Sequence, residues 1–529
     1  MNKQSPRTMA TRRPLVTVVV AMAVLAGLVL LVTQSGVLPG PDPAENTAHG
    51  SGEESPLPPA TGEPDRLTVV DPSDVVDVAE ETLSYDGVVS ADVTYPSLPD
   101  AEPLTDFLAR TLDADVAAFE AANPGAEDYT AEWGLTAAND DLVGVRMTST
   151  ETDSEGSREC HSTYWYEADT GLAHGSNELI AGQDELDQLN ALVREQSPDA
   201  VDGPAVLPVA ALYDSVGFNP DGDLVVEFDT GQIAPVGEGP VHVVVDRDEA
   251  EPLLSDLGVR ARDAATVGVE DFSLSGPPEA DKDGTTEERP GLFSPVDDAV
   301  DCSDPETRCV ALTYDDGPGG RTPELLDALA EYDARATFFV TGVPVLEHPR
   351  TVRRAYAEGH EIANHTLSHP DLSAMGQGAA RAELETVQAQ VYRETGYTMD
   401  LMRPPYGATD DGVASVTEDM GLAQILWSVD TNDWKDRNAS IVSGRALGGA
   451  SDGAIILMHD IHGTTIDASH EIIRELDARG YTMVTVSQLL GTTTPGAAYH
   501  DGQPEEDAED GSEGQETGGD EEEDGPAED

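Results

Sequence analysis

Five short segments of this chain carry the residue types needed to hydrolyse an amide. They are Thr-Tyr-Asp-Asp-Gly-Pro at 313–318, His-Thr-Leu-Ser-His at 365–369, Arg-Pro-Pro-Tyr-Gly at 403–407, Asp-Thr-Asn-Asp-Trp at 430–434 and Leu-Met-His at 457–459. No single segment is decisive. Their joint presence, in this order and within about one domain's length, supplies candidate metal ligands, a base, an acid and side chains to orient them.

The candidate metal ligands are two histidines and a carboxylate. His365 and His369 are four residues apart, and on a helical turn both imidazoles would lie on one face. Alone, such a pair is more often incidental. With Asp316 it makes a two-histidine, one-carboxylate site that suits zinc, and the ligand types would also accept cobalt or nickel.

The candidate base comes from the pair Asp315 and Asp316, which follows an apolar strand-like run and precedes Gly-Pro. Because Gly-Pro forces a turn, the adjacent carboxylates point in different directions, so one can bind metal while the other faces a water molecule. Arg403 lies in a loop stiffened by two prolines. It could keep Asp315 ionised, and the backbone N–H of Tyr406 could face a developing oxyanion.

The candidate acid is His459, which ends the apolar run 454–458. A neighbouring Asp would orient its imidazole and raise its pKa. Asp430 and Asp433 are both candidates for that partner, and the sequence does not choose between them. Trp434 and Leu457 could line a slot for a small acyl methyl group or belong to the core.

Taken together, the segments resemble the motifs of carbohydrate esterase family 4, the NodB-homology polysaccharide deacetylases, over about residues 305–490. One position departs from the family pattern, because Tyr314 stands where Phe is commoner. The resemblance implies a distorted (β/α) barrel and a metal-dependent deacetylase. The roles it implies are Asp315 as base, Asp316, His365 and His369 as ligands of Zn²⁺, Arg403 as orienter of Asp315, Tyr406 as oxyanion donor and His459 as acid.

The elements around these segments predict an α/β domain. Short apolar strands at 310–313, 337–340, 425–429 and 454–458 alternate with helical stretches at 322–332, 350–358, 379–395 and 469–479. Such alternation predicts a parallel sheet covered by helices, and folds of this kind place chemistry at strand ends.

An upstream region at 66–275 reads as α+β, with half-buried strands at 87–95, 142–150 and 162–166 and helical spacing at 107–119 and 186–193. Residues 228–245, from Phe-Asp-Thr-Gly-Gln-Ile-Ala-Pro onward, loosely resemble part of the ectodomain of lysozyme-sensing anti-sigma factors of the RsiV type, and the resemblance covers about residues 85–256. That resemblance implies a wall-facing module with a protein ligand. The alternative is a spacer domain without a ligand.

The N-terminus differs from the rest of the chain in charge. Basic residues precede an apolar run at 14–33, which is long enough to cross a bilayer as a helix. We expect a single-pass bacterial membrane protein with an extracellular catalytic domain; a cleaved signal peptide is the alternative. The predicted order is a cytoplasmic segment 1–13, an anchor 14–33, a flexible stalk 34–65, the α+β domain 66–275, a linker 276–301, the catalytic domain 302–491 and a disordered acidic tail 492–529.

Charge and cysteines add two constraints. The formal net charge is −75, which argues against a nucleic-acid partner because such a partner needs a basic face. Cys302 and Cys309 flank the start of the catalytic segment, and outside the cell we expect them to form a disulfide. Cys160 is left over.

The substrate prediction rests on context. An anchored, outward-facing enzyme meets the cell wall first, and the overall arrangement also resembles bacterial peptidoglycan N-acetylmuramic acid deacetylases. We therefore expect N-deacetylation of peptidoglycan amino sugars, with GlcNAc and MurNAc unranked. Chitin oligomers and acetylated xylan are the alternative substrates. A wall- or lysozyme-binding receptor with a non-essential barrel is the alternative from another class.

Overall fold

The computed structural model describes residues 60–269, 272, 274, 289–296 and 300–502. The predicted cytoplasmic segment, the anchor and nearly all of the stalk lie outside these residues, as does the chain from 503 onward. Among the residues described, no helix is both long enough and apolar enough to cross a bilayer.

The upstream region is built on antiparallel strands. Its elements in chain order are β1 (Ala79–Thr82), β2 (Ser90–Ser97), α1 (Glu102–Ala122), β3 (Ala126–Ala138), β4 (Leu142–Asp153), β5 (Gly156–Glu167), β6 (Leu172–Gly175), α2 (Gln183–Gln196), β7 (Val216–Phe218), β8 (Leu224–Phe228), β9 (Val241–Val245), α3 (Arg247–Ala250) and α4 (Asp256–Ala265). Strands β1 to β6 form one sheet in sequence order, and β7, β8 and β9 form a second. Only the β2–β3 pair of these sheets is parallel.

Helix α1 shows why the sequence folds in this way. Its apolar residues recur at helical spacing, and the buried ones are Leu104, Leu108, Leu112, Val116, Phe119 and Ala122. Pro103 lies in the first turn, where a missing N–H costs nothing. The helix therefore covers the sheet with one continuous apolar stripe.

The downstream region alternates strands and helices, as predicted. Its elements are β10 (Cys309–Asp315), α5 (Thr322–Ala330), β11 (Thr337–Val340), α6 (Gly342–Glu347), α7 (Pro349–Ala357), β12 (Glu361–Asn364), α8 (Gln377–Thr395), β13 (Leu401–Met402), α9 (Asp411–Asp419), β14 (Ala423–Ile425), β15 (Val429–Asp430), α10 (Asp433–Asp436), α11 (Ala439–Gly449), β16 (Ala454–His459), α12 (Gly463–Ala478), β17 (Thr482–Val484), α13 (Val486–Leu490) and β18 (Ala498–Tyr499).

These strands form one curled, wholly parallel sheet in the order β15-β16-β10-β11-β12-β13-β14-β18, with β17 also paired to β10. Strand β10 is buried along its whole length, as expected for a strand covered on both faces. Strands β14 and β15 lie near opposite ends of this order but are joined by only residues 426–428. Because the four Cα–Cα steps from Ile425 to Val429 span at most about 14 Å, the sheet must curl until those ends come close together.

Two sequence predictions are corrected here. The predicted single strand 425–429 is wrong: β14 ends at Ile425 and β15 begins at Val429. The break arises because Arg403 takes the carbonyls of Ile425 and Leu426, which a continuing strand would use for pairing. The predicted disordered tail also begins too early, since β18 pairs with β14 and the fold continues to at least residue 502.

The two regions share a packed boundary. The described part of the predicted linker lies in it: Asn177 donates to the Pro290 carbonyl at 2.7 Å, and the Phe293 N–H donates to the Tyr356 hydroxyl at 2.8 Å. Helix α8 also contributes, because Arg393 forms an ion pair with Glu151 of β4 at 2.6 Å. The upstream residues therefore pack directly on the downstream helices.

Candidate active site

Residues of all five segments follow strands of the parallel sheet and meet at its carboxyl-terminal edge. The register of β10 against β16 sets Asp315 directly beside His459. His365 follows β12, Arg403 follows β13 and Asp433 follows β15. The predicted base and the predicted acid are therefore neighbours on adjacent strands.

Arg403 is fully buried and fully engaged. Its Nη1 donates to Asp315 Oδ1 at 2.7 Å and to Thr313 Oγ1 at 2.8 Å. Its Nε and Nη2 donate to the backbone carbonyls at the end of β14, both at 3.0 Å, and its guanidinium stacks over Phe339 at 4.1 Å. Burial raises the pKa of the Asp315 carboxyl, and Arg403 opposes that rise.

Asp433 is the partner of His459. Its Oδ1 accepts from His459 Nδ1 at 2.8 Å, and its Oδ2 accepts from the His459 backbone N–H at 2.8 Å and from Thr465 Oγ1 at 2.6 Å. Burial alone would lower the pKa of His459, but the hydrogen bond to Asp433 and the negative charge of Asp315 outweigh it and raise that pKa to about 9. The imidazole is therefore protonated at neutral pH.

Asp430 does not contact His459. Its side chain is exposed, and its Oδ1 accepts from the Asn432 N–H at 2.7 Å. The choice that the sequence left open is settled by β15, which ends at Asp430 and lets the next turn carry Asp433 inward. We call Asp315, Arg403, His459 and Asp433 the acid–base half of the site.

Asp316, His365 and His369 form the metal half. Asp316 Oδ1 lies 3.6 Å from His365 Nε2 and 3.4 Å from His369 Nε2. It is buried without a hydrogen-bond partner in the described structure. Among the described residues, this is the one group of three or more His, Cys, Asp or Glu side chains whose metal-binding atoms all lie within 4.8 Å of one another.

The histidine pair does not lie on a helical turn, which corrects the sequence prediction. The segment is irregular, with positive φ at Thr366 (72°) and His369 (57°). Even so, both Nε2 atoms reach the same carboxylate. The predicted side chains therefore come together, although not through the local geometry that the sequence suggested.

His365 is set up to donate a lone pair. Its Nδ1 lies 2.7 Å from the Arg403 carbonyl, and because a carbonyl can only accept, Nδ1 carries the proton and Nε2 is left free. Burial lowers the pKa of His365 to about 3, so the ring is neutral, as a metal ligand must be. Arg403 thereby links the two halves: its side chain holds Asp315 and its carbonyl holds His365.

The remaining predicted residues surround this edge. Tyr406 lies in a left-handed conformation (φ 61°, ψ 6°) and is 71% exposed as a residue, and its ring packs edge-on against His369, with 4.6 Å between the ring centroids. Trp434 is half exposed and Leu457 is buried. Farther away, Cys302 and Cys309 are joined in a disulfide, and Cys160 is free.

Sequence reasoning missed two supporting residues. Thr465 holds Asp433, as described above. Asp460 is buried directly after His459 and accepts from the Thr322 hydroxyl, while the Thr322 hydroxyl in turn accepts from the Gly319 N–H at 2.8 Å. The one sequence feature that could have pointed to Asp460 was its position directly after His459 at the end of a strand.

Comparisons of the sequence with known proteins agree with this fold, a curled parallel sheet, and with its two-part site. A family model described as polysaccharide deacetylase matches residues 303–425. The chain is 37% identical over 194 residues to a chitooligosaccharide deacetylase of Sinorhizobium fredii, covering 34% of this chain and 90% of that protein. This chain belongs to the polysaccharide deacetylase family.

Two peptidoglycan deacetylases also match about a third of the chain. The peptidoglycan-N-acetylglucosamine deacetylase PgdA of Listeria monocytogenes is 45% identical over 183 residues, covering 34% of this chain and 39% of the relative. The peptidoglycan-N-acetylmuramic acid deacetylase PdaC of Bacillus subtilis is 43% identical over 187 residues, covering 35% and 39%. The matched part thus spans about two fifths of the length of these relatives.

Proposed function

We propose that this protein is a metal-dependent N-deacetylase of peptidoglycan amino sugars, releasing acetate and leaving a free amine. The observation that carries the proposal is the pairing of Asp315 with His459 on adjacent strands, beside a separate cluster of three metal-binding side chains. Hydrolysis of an amide needs a proton removed from water and a proton delivered to the leaving nitrogen. These two groups supply both.

The metal half fits a divalent cation. Ligand atoms placed ~2.0–2.2 Å from a shared ion lie roughly 3–3.6 Å from one another, and the two Asp316–histidine distances are 3.4 and 3.6 Å. A buried carboxylate oxygen with no donor is costly unless a cation neutralises it. Asp316, His365 and His369 would hold Zn²⁺, and Co²⁺ is also compatible with these ligand types.

A bound cation would polarise the acetyl carbonyl and lower the pKa of an attacking water. Asp315 removes the proton from that water as the bond to the acetyl carbon forms. Arg403 keeps Asp315 ionised by a direct bond from Nη1. The Tyr406 backbone N–H stabilises the oxyanion of the tetrahedral intermediate, and loss of one such donor typically costs about 3–4 kcal/mol.

His459 then donates its proton to the departing nitrogen as the carbon–nitrogen bond breaks. Its raised pKa of about 9 means that the proton is present at neutral pH, and Asp433 stabilises the imidazolium until transfer. Trp434 and Leu457 line the space for the acetyl methyl group. Asp430 has no part in these steps.

Peptidoglycan is favoured as substrate by the two relatives that carry that activity in their names. The basic and apolar N-terminal sequence supports an anchored enzyme with this site outside the cell. Chitin oligomers are the second candidate, because the relative from Sinorhizobium fredii is a chitooligosaccharide deacetylase. The receptor alternative would leave the complete acid–base half without a use.

The test is acetate release by the purified full chain from peptidoglycan, chitin oligomers and acetylated xylan, each with and without a chelator. The proposal predicts chelator-sensitive acetate release that is fastest with peptidoglycan. Faster release from chitin oligomers would transfer the assignment to that substrate. No release from any of the three would contradict the enzymatic proposal.

A further inference from the structure

The segment between the two histidine ligands is held in a conformation that a free chain avoids. Thr366 and His369 are both non-glycine residues with positive φ, and such a strained backbone conformation persists only where its surroundings impose it. The Asn364 side chain accepts from the Thr366 N–H at 2.9 Å, and Thr366 Oγ1 accepts from the His369 N–H at 3.0 Å. These bonds fix the two ends and leave Leu367 and Ser368 to be held from outside.

Helix α8 holds them through one residue. Glu383 Oε2 accepts from the Ser368 N–H and Glu383 Oε1 accepts from the Ser368 hydroxyl, both at 2.8 Å. The backbone carbonyl of Glu383 also accepts from the Leu367 N–H at 3.0 Å. A single helix position therefore binds two consecutive residues of the ligand segment with three hydrogen bonds.

The two histidines differ in how much they need this support. The His365 ring is buried and fixed by the Arg403 carbonyl. The His369 side chain is 30% exposed, and no described residue hydrogen-bonds to its Nδ1; its ring contacts are the rings of His365 and Tyr406. The direction of His369 is therefore set mainly by the backbone that carries it.

Helix α8 is a firm support because its other half is anchored elsewhere. Gln390 Nε2 donates to the Ala122 carbonyl of α1 at 3.0 Å, and Arg393 binds both oxygens of Glu151 at 2.7 and 2.6 Å. The helix thus lies between the upstream region and the ligand segment.

We propose that Glu383 is a positioning residue for the metal site, acting through Ser368 to hold His369 toward Asp316. The proposal depends on the metal half assigned above. Its physical basis is that an ionised carboxylate accepting two hydrogen bonds resists displacement of the segment more strongly than a neutral pair does. Loss of comparable outer-shell partners typically weakens metal binding about 10–100-fold.

The experiment compares Glu383→Ala with Glu385→Ala in the full chain. Glu385 lies on the same helix and is exposed; its ion pair is with Arg381 at 3.6 Å. We measure the affinity of chelator-stripped protein for Co²⁺ by competition with a chromophoric chelator, the Co²⁺ absorption spectrum and the melting temperature of the stripped protein. We expect Co²⁺ affinity to fall about 10–100-fold in Glu383→Ala and to stay at the wild-type value in Glu385→Ala.

Further variants separate positioning from general destabilisation. Glu383→Gln keeps one acceptor oxygen and should give an intermediate Co²⁺ affinity. Ser368→Ala should weaken Co²⁺ binding in the wild type but have no added effect in Glu383→Ala, because the shared hydrogen bond is already absent. With saturating metal, Glu383→Ala should recover most of its kcat for acetate release.

Two results would overturn the inference. One is a Co²⁺ affinity of Glu383→Ala equal to that of Glu385→Ala. The other is a weakened affinity that follows only the fall in melting temperature and leaves the Co²⁺ spectrum unchanged. Failure of the wild type to bind Co²⁺ or release acetate would instead contradict the proposed function, so the two failures are distinguishable.

Discussion

The acid–base half consists of Asp315, Arg403, His459 and Asp433, whose polar atoms find their hydrogen-bond partners within the protein. In the metal half, Asp316, His365 and His369 converge, but no hydrogen-bond donor reaches Asp316 Oδ1 in the described structure. Arg403 has four hydrogen bonds from its guanidinium, and the Asp433 carboxylate also accepts four. Asp316 Oδ1 accepts none in the described structure. The acid–base half is thus built by folding, while the metal half needs a cation to offset its own charge.

The largest effect is expected from Asp316→Asn, which removes the charge but keeps the shape of the side chain. Asn also tolerates the positive φ (70°) of this position. Metal binding should be lost at micromolar concentrations and acetate release should fall to the protein-free background. The unfolding free energy of the stripped protein should change by less than about 1 kcal/mol, since no hydrogen bond to Oδ1 is lost. Mass spectrometry measures the metal content, and urea unfolding measures the stability. A large loss of stability would contradict the contrast drawn between the two halves of the site.

The next effect is expected from Asp315→Asn. Without the base, turnover should fall by about 10²–10⁴-fold, while the protein keeps its metal because the ligand set is intact. Steady-state acetate release and metal content measured on the same sample check this. Asp430→Asn is the matched control and should retain wild-type activity; wild-type turnover in Asp315→Asn would refute the assignment of the base.

Arg403→Leu tests whether the interactions of the acid–base half stabilise the fold when no metal is bound. Removing one partner of a buried ion pair typically costs about 3–5 kcal/mol, and the Arg403–Asp315 pair is fully buried. We expect that loss in urea unfolding of stripped protein. Arg381→Leu removes a pair with the exposed Asp419 of α9 and should cost less than about 1 kcal/mol. Equal costs for the two variants would contradict the account.

The smallest predicted effect is a shift in pH dependence. His459 must be protonated to act as the acid, so kcat/KM should fall as pH rises through about 9. Asp433→Asn removes a charge that favours the imidazolium, so the alkaline limb should move down by about 1–3 units. A pH–rate profile of metal-loaded protein measures this. If the alkaline limb of the profile does not move, a group other than His459 determines it.

Much of the site could be predicted because parallel strands bring their carboxyl ends to one edge. Asp315 and His459 each follow an apolar run that was predicted to be a strand, so their proximity depended only on which strands are neighbours. No strand was predicted directly before His365 or Arg403. The upstream resemblance to anti-sigma-factor ectodomains and the membrane anchor stay predictions.

What could not be predicted depends on contacts distant in sequence. The break between β14 and β15 occurs because Arg403, more than 20 residues earlier, captures two carbonyls. Glu383 reaches Ser368 from a helix with no motif of its own. Asp433 rather than Asp430 meets His459 because of where β15 ends, and a run of apolar residues does not specify that point.

The central claim is that one divalent cation held by Asp316, His365 and His369 makes this chain a deacetylase. The most direct measurement is a titration of chelator-stripped protein with Zn²⁺, recording bound metal and acetate release from peptidoglycan together. The account predicts that activity rises in proportion to binding and saturates at one ion per chain in the wild type, with neither signal in Asp316→Asn. Full acetate release from stripped protein before any metal is added would contradict it.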